Sequence, residues 1–337
     1  PAGSAIGVTN WLPEVTAGVE IDAVGAGSCA PTINVDGSGA AAGVSGPNLR
    51  TTGADPVTVR GVAFVGFPGS GLTIQSGDGH LIECAAFGVT TTGAAAGNGS
   101  NGIAASPGGA DLTVRASLIA NNDNHGLAVS TYSGTRTGTV GGANTADANT
   151  IHDNGGGGIN LGDKTAFTVR GNATYDNLRA GLSIVNPATP SPTLTAADTA
   201  AAQGTVSGLT AGAAYLVEVH ADITCADRPN GNPLAQGKTA AGFATFTADG
   251  SGNGTFTVAL TGVTAGDALT AKTTTSGATS ERSNCLTAQP PDPPQPGPGY
   301  AVNATHDVDD GACSVAHCSL REALVAANTD GTDSTIT

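Results

Sequence analysis

Between about Gly18 and Leu194 the chain alternates short apolar runs with turns rich in Gly, Asn and Asp. Five runs open on glycine followed by an aliphatic residue: Gly71-Leu72-Thr73-Ile74, Gly102-Ile103-Ala104, Gly126-Leu127-Ala128-Val129, Gly158-Ile159-Asn160-Leu161 and Gly181-Leu182-Ser183-Ile184. They recur every 23 to 32 residues. A second set leads them, with Val57-Thr58-Val59-Arg60, Leu81-Ile82-Glu83-Cys84, Leu112-Thr113-Val114-Arg115 and Phe167-Thr168-Val169-Arg170. The register loosens between Gly126 and Gly158, around Asn149-Thr150-Ile151. Apolar and polar positions alternate within each run, which turns one face inward, while Gly and Asn supply left-handed turn conformations. Several short strands in each repeat predict a solenoid.

The pattern changes at about Thr195. Runs at 205–209, 214–220, 244–247, 254–260 and 268–274 alternate as strands, with turn residues such as Asp249-Gly250-Ser251-Gly252-Asn253-Gly254 between them. That density of short strands predicts an antiparallel sandwich. Residues 289–299 are dominated by proline and read as an extended, semi-rigid linker. Beyond them Ser319 stands at a helix N-cap position, Leu320, Leu324 and Ala327 form one helical stripe, and Asn328 is a stop. The expected division is therefore 1–190, 191–288, 289–299 and 300–337.

Composition narrows the class. Aromatics make up 4% of the chain, so the core is expected to be Val, Ile, Leu, Ala and Thr. Twelve basic against 27 acidic residues give a net charge of −15, a poor match to nucleic acid or an anionic membrane surface. No apolar run approaches the ~20 residues needed to span a bilayer. The lack of methionine and of a leader pattern reads as a mature product or an excised segment. Six cysteines, without a C-x-x-C pair, point to disulfides in an oxidising, extracellular compartment. Spacing does not prove connectivity; sequential pairing, Cys29–Cys84, Cys225–Cys285 and Cys313–Cys318, keeps each bridge within one segment.

The solenoid repeats resemble the right-handed parallel β-helix repeats of secreted bacterial proteins. Leu12-Pro13-Glu14-Val15, Val19-Glu20-Ile21-Asp22 and Pro31-Thr32-Ile33-Asn34-Val35-Asp36-Gly37 look like opening coils of that family. Residues 215–220, the 249–257 hairpin and 279–285 resemble the immunoglobulin-like module that follows such β-helices. Cys318-Ser319-Leu320-Arg321-Glu322-Ala323 resembles the small CSLREA-type capping domain. The implied fold class is all-β: a right-handed parallel β-helix, an immunoglobulin-like sandwich and a small strand/helix cap.

In that family the cap stands before a β-helix and covers its first coil, whereas here it comes last. Joining Thr337 to Pro1 restores the family order. The expectation is one period of a head-to-tail array, covalent or assembled from subunits, because open β-helix ends demand a cover. Cys318, Leu320, Arg321, Glu322, Leu324 and Ile336 would meet Leu12 and Ile21 of the next unit.

Pectin-cleaving enzymes share the β-helix fold, so candidate chemistry needs weighing. Aligning turns on Asn122, Asn154 and Asn177 puts Asn121, Asp153 and Asp176 in one column and Ala120, His152 and Tyr175 beside it. Asp153 and Asp176, on coils ~4.8 Å apart, are candidates for a Ca²⁺ pair or a catalytic carboxylate pair; the alternative is solvated turn residues. Asp307, Asp309 and Asp310 are a second Ca²⁺ candidate, weighed against a solvated loop. The Gly-His-Gly and adjacent Asp-Asp of polygalacturonases are missing from the solenoid. Asn98, Asn172, Asn253 and Asn303 head glycosylation sequons. The expected function is a non-enzymatic structural unit of an extracellular or cell-surface fibre whose partner is itself. The alternatives are a surface adhesin or glycan-binding protein and, third, a polysaccharide lyase or hydrolase.

Overall fold

The computed structural model describes residues 4–24, 29–106, 108–130, 136–163, 165–275, 277–290, 293–305, 313–315 and 318–337. From Ser4 to Ile184 the chain winds through three parallel sheets, contributing one strand or bridge to each per turn. The first sheet stacks Ser4–Gly7, Ile33–Asp36, Val62–Val65, Ala86–Phe87, Leu118–Ala120, Thr150–His152 and Ala173–Tyr175. The second stacks Asn48–Arg50, Leu72–Ser76, Ile103–Ala105, Leu127–Val129, Ile159–Leu161 and Leu182–Ile184. The third stacks Glu20–Asp22, Thr58–Arg60, Leu81–Glu83, Gly109–Arg115, Arg136–Gly141 and Thr165–Arg170.

All five glycine-led runs fall in the second sheet at one register, so Leu72, Ile103, Leu127, Ile159 and Leu182 form a single inward column. The side-chain period of two sends these residues into the core, where burial of each contributes roughly 1.5–3 kcal/mol. The loosened stretch resolves into two strands. Thr150–His152 belongs to the first sheet, and Arg136–Gly141 is the third-sheet strand that the apolar pattern conceals. Its inward slot between Leu112 and Phe167 holds Gly138. A Cβ there would stand 2.1 Å from the Leu112 carbonyl oxygen and 2.6 Å from the Phe167 ring.

Corner turns are held by two buried side-chain ladders. Asn98 Nδ2 donates to Asn122 Oδ1 (2.8 Å), Asn122 to Asn154 (2.9 Å) and Asn154 to Asn177 (2.9 Å). Each acceptor oxygen also takes the backbone N–H of the preceding ladder asparagine. The second ladder runs from the Ser117 N–H to Asn149 Oδ1 (3.0 Å) and from Asn149 Nδ2 to Asn172 Oδ1 (2.8 Å). An amide suits this role because one side chain both donates and accepts, which lets the chain of bonds pass from coil to coil.

After Ile184 two antiparallel sheets pack around Leu194, Ala202, Val217, Val219, Phe256, Val258 and Leu269. One contains Thr193–Ala197, Ala201–Val206 and Gly254–Ala259; the other Thr239–Thr247, Ala214–Asp222, Ala268–Thr275 and Ala278–Thr279, with Leu286–Thr287 on its edge. The strand expected at 205–209 lies earlier, at Ala201–Val206, because Gly208 turns the chain at φ 78°. Thr193–Ala197 is an additional strand.

The second sheet of the sandwich has no solvent face at its centre. Val217 and Val219 point into the sandwich core, whereas Glu218, His220 and Asp222 point at the end of the solenoid. There the sandwich supplies acceptors to the last coil in all three sheets. Gly171 N–H donates to Glu218 Oε1 (3.1 Å) and Val169 N–H to Thr279 Oγ1 (2.9 Å), closing the third sheet. Ile184 N–H donates to Glu281 Oε1 (2.9 Å), closing the second. Thr174 N–H donates to the Gly237 carbonyl (2.9 Å), closing the first. Gln236 Oε1 accepts from Asn177 Nδ2 (3.1 Å), so a residue of the sandwich ends the asparagine ladder. The disulfide Cys225–Cys285 ties down the loop that carries Gln236, and Cys29–Cys84 and Cys313–Cys318 are the other two pairs.

The 289–299 stretch is not a free spacer over its whole length. Gln289 N–H bonds the Ala197 carbonyl, and the Gln295 amide bonds Ala301 and Ser314 of the final segment. That segment pairs Gly299–Tyr300 with Thr335–Ile336 in parallel and packs the helix Leu320–Thr329 on Tyr300, Cys313 and Cys318. Ser319 and Glu322 form a reciprocal capping box.

Asn154→Ala is expected to lower unfolding stability by roughly 2–4 kcal/mol, because it orphans buried donors and acceptors on both neighbouring coils. A urea titration followed by circular dichroism reads this as a midpoint shifted to lower denaturant.

Candidate functional site

Two regions of the surface carry the residues singled out from the sequence: a flank of the solenoid near its last coils, and the two ends of the molecule. On the flank the column is as aligned, since Ala120, His152 and Tyr175 pair in register at the end of the first sheet. The His152 and Tyr175 rings stack at 4.8 Å, and the Lys238 ammonium lies 4.9 Å from the Tyr175 centroid. Burial, and behind it the Asp153 and Asp176 carboxylates, raise the Tyr175 phenol above its ordinary value.

Asn121, Asp153 and Asp176 all adopt left-handed backbone conformations, at φ 61°, 53° and 53°. Asn and Asp are the non-glycine residues that tolerate this region best, so the turn alone accounts for their identity. Asp153 Oδ2 bonds His152 Nδ1 at 2.7 Å, and Asp176 lies 3.9 Å from the Arg228 guanidinium. Each carboxylate thus has a partner beside it, and both act on the Tyr175 phenol. Among the described residues no group of three or more His, Cys, Asp or Glu is placed to hold a metal ion. Asp307, Asp309 and Asp310 lie outside the described residues.

Of the four sequon asparagines, Asn98 and Asn172 are ladder residues with their side chains buried and bonded. Asn303 is exposed, but its amide bonds Val315 and Cys318. Asn253 sits on an exposed turn.

At the N-terminal end the first coil is formed by Ser4–Gly7, the bridge residue Val15 and Glu20–Asp22. Thr58 N–H bonds the Val19 carbonyl and Ala23 N–H the Arg60 carbonyl. The alternation of a parallel ladder therefore turns the peptide groups of Glu20 and Asp22 away from the stack. Their outward edge pairs with no strand among the described residues. Leu12 and Ile21, expected at the junction, are half-buried against the solenoid core, while Trp11 is 61% exposed and Ile6 56%.

At the other end the outward face of the helix presents Leu320, Leu324 and Val325, which are 57%, 49% and 54% exposed. With Ala304, Thr305, Arg321 and Asn328 they line a groove of about 520 Å³. The helical stripe is divided. Ala327 lies with Ala323 and Ala326 against the segment's own core, and the two leucines face out. Cys318 and Glu322 are buried inside the segment, held by the disulfide and the capping box, and Ile336 packs against the same core. They support the expected surface from within and do not form it. Trp11 and Val325 are exposed apolar residues that the sequence reading passed over; each stands outside the periodic positions on which that reading relied.

Residues 42–186 match the protein family described as the right handed beta helix region. No curated protein matches the chain. With the three stacks of parallel strands, the match makes this an all-β protein built on a right-handed parallel β-helix. Disulfides join all six cysteines, and no helix of the described residues is long and apolar enough to cross a membrane.

Asp153→Gly is expected to stay within about 1 kcal/mol of the parent protein, since glycine enters the left-handed region without a Cβ clash. Asp153→Val is expected to destabilise by on the order of 2 kcal/mol. Thermal unfolding of the two variants in parallel checks both values.

Proposed function

We propose that the chain is a structural unit of an extracellular or cell-surface fibre, joined head to tail, with residues 300–337 of one unit covering the first coil of the next. The observation that carries this reading is the unequal treatment of the two solenoid ends. The last coil is closed in all three sheets by acceptors from the sandwich. The first coil has an open edge among the described residues, with exposed apolar side chains beside it. The final segment has its own small core and still presents three large aliphatic residues. An open strand edge and an unpartnered apolar face are each association-prone, and joining them removes both.

In this assembly the β-helix is a stiff rod, the sandwich, resembling an immunoglobulin-like module, is a spacer or display element, and the CSLREA-type segment is the joint. No small-molecule chemistry is required of it. The units are tandem repeats of one polypeptide or separate subunits, and the intact mass of denatured, reduced native material separates the two. A multiple of 32.4 kDa marks covalent repeats.

The double variant Leu320→Asp/Leu324→Asp tests the joint without touching the segment's inner core. Sedimentation velocity is expected to show end-to-end oligomers of the parent chain and a single monomeric species for the variant. A parent chain that stays monomeric at all concentrations, or a variant that associates as the parent does, sinks the head-to-tail reading.

A further inference from the structure

The face with which the sandwich closes the solenoid is unusual for a permanent internal contact, because it is made of charged groups. Glu218 and Lys272 stand opposite each other on adjacent strands and form a buried ion pair, with the Arg170 guanidinium of the last third-sheet strand 3.8 Å from Glu218. Arg282 reaches Thr174 of the solenoid (3.3 Å) and Thr270 of the sandwich (3.4 Å). Asp222 accepts from the Gly237 and Lys238 N–H groups at 2.7 and 3.1 Å. In the middle of this face lies His220, wholly buried, with neither ring nitrogen in a hydrogen bond.

We propose that this joint is an acid-operated latch, in which protonation of His220 releases the sandwich from the last coil while both modules stay folded. The groups that face His220 come from every element around it. Glu218 and Asp222 lie on its own strand, Lys272 on the neighbouring strand Ala268–Thr275, and Arg282 on the segment that follows. The solenoid contributes Arg170 and the Asn172 backbone. The opposing strand Thr239–Thr247 contributes Ala240, which is uncharged. Three cations and two carboxylates thus already share the face, and a proton on the imidazole adds a fourth cation, beside which the solenoid offers only the Asn172 backbone as an acceptor.

Burial first, then Arg282 and Lys272, push the His220 value well below its ordinary 6.5. Burial lowers Lys272 to about 8 against the pull of Glu218, so the lysine keeps most of its charge at neutral pH. The sign follows from linkage. A histidine whose closed-state value is depressed binds its proton more readily when the joint is open. Closure is therefore fully stable above the ordinary histidine value and weakens as pH falls below it. Every bond that closes the last coil is affected together, because Glu218, Gln236, Thr279 and Glu281 all belong to the same docked module.

The test is hydrogen exchange on the whole chain between about pH 7.5 and pH 5.5, a window that spans the ordinary histidine value. Protection factors at Gly171, Asn177 and Ile184, corrected for intrinsic rates, are expected to fall by up to tenfold per pH unit below about pH 6.5. Protection at Ala63 and Phe64, in the first sheet of the solenoid, is expected to stay constant. His220→Gln, which cannot gain a proton, is expected to flatten the pH response at the joint. An unchanged response in that variant overturns the latch. Should His220→Gln fail to fold, the ring resonances of the parent chain decide. An imidazole that stays neutral down to about pH 5.5, with joint amides protected throughout, overturns it equally.

Discussion

In a parallel stack each strand satisfies half of its peptide groups on the coil before and half on the coil after, so unpaired donors and acceptors are left at the first and last coils. The architecture of this protein follows from that constraint. Within the stack the corners repeat the solution in side-chain form, with asparagine amides linking coil to coil. At the far end Glu218, Thr279 and Glu281 substitute for the next coil's carbonyls, and Gln236 substitutes for the next asparagine. Glutamine is one methylene longer than asparagine, which suits a residue that approaches the ladder from another module.

The outside of the rod obeys a second rule, that like charges must not stack in register. On the third sheet Asp22, Arg60, Glu83 and Arg115 occupy one column, and their signs alternate. The column's ion pairs are 3.7, 3.5 and 2.8 Å apart, and Arg115 reaches Asp147 at 3.3 Å. Each of these half-buried surface pairs is worth little alone, about 0–1 kcal/mol, but the alternation removes the repulsion that a column of one sign would build up.

The solenoid was legible in the sequence because its repeats carry one aliphatic residue at one inward position, as the column from Leu72 to Leu182 does. Asn122, Asn154 and Asn177 were legible as a column for the same reason. What escaped was every position whose residue type is decided by a partner far away in the chain. Gly138 breaks the apolar pattern because Phe167 fills its space. Glu218, His220 and Lys272 read as the polar side of an amphipathic strand, yet they are buried because a second module covers that side. Leu320, Leu324 and Ala327 read as one stripe, yet Ala327 packs inward with Ala323 and Ala326 while the two leucines face out. The carboxylates Asp153 and Asp176 were placed correctly beside each other. Their backbone conformation, which explains them, is invisible in a string of letters.

The residues that close the last coil have a further consequence, one that concerns time. Glu218, Gln236, Thr279 and Glu281 all lie downstream of Ile184 in the chain. During synthesis the rod can wind coil upon coil from its N-terminal end, yet its growing tip stays raw until the chain has emerged as far as Glu281. For that interval the tip is a template on which any extended segment can be copied, whether the next coil or a stranger's. The sandwich is therefore a full stop as well as a module: it ends the winding, and until it arrives the molecule depends on its own speed.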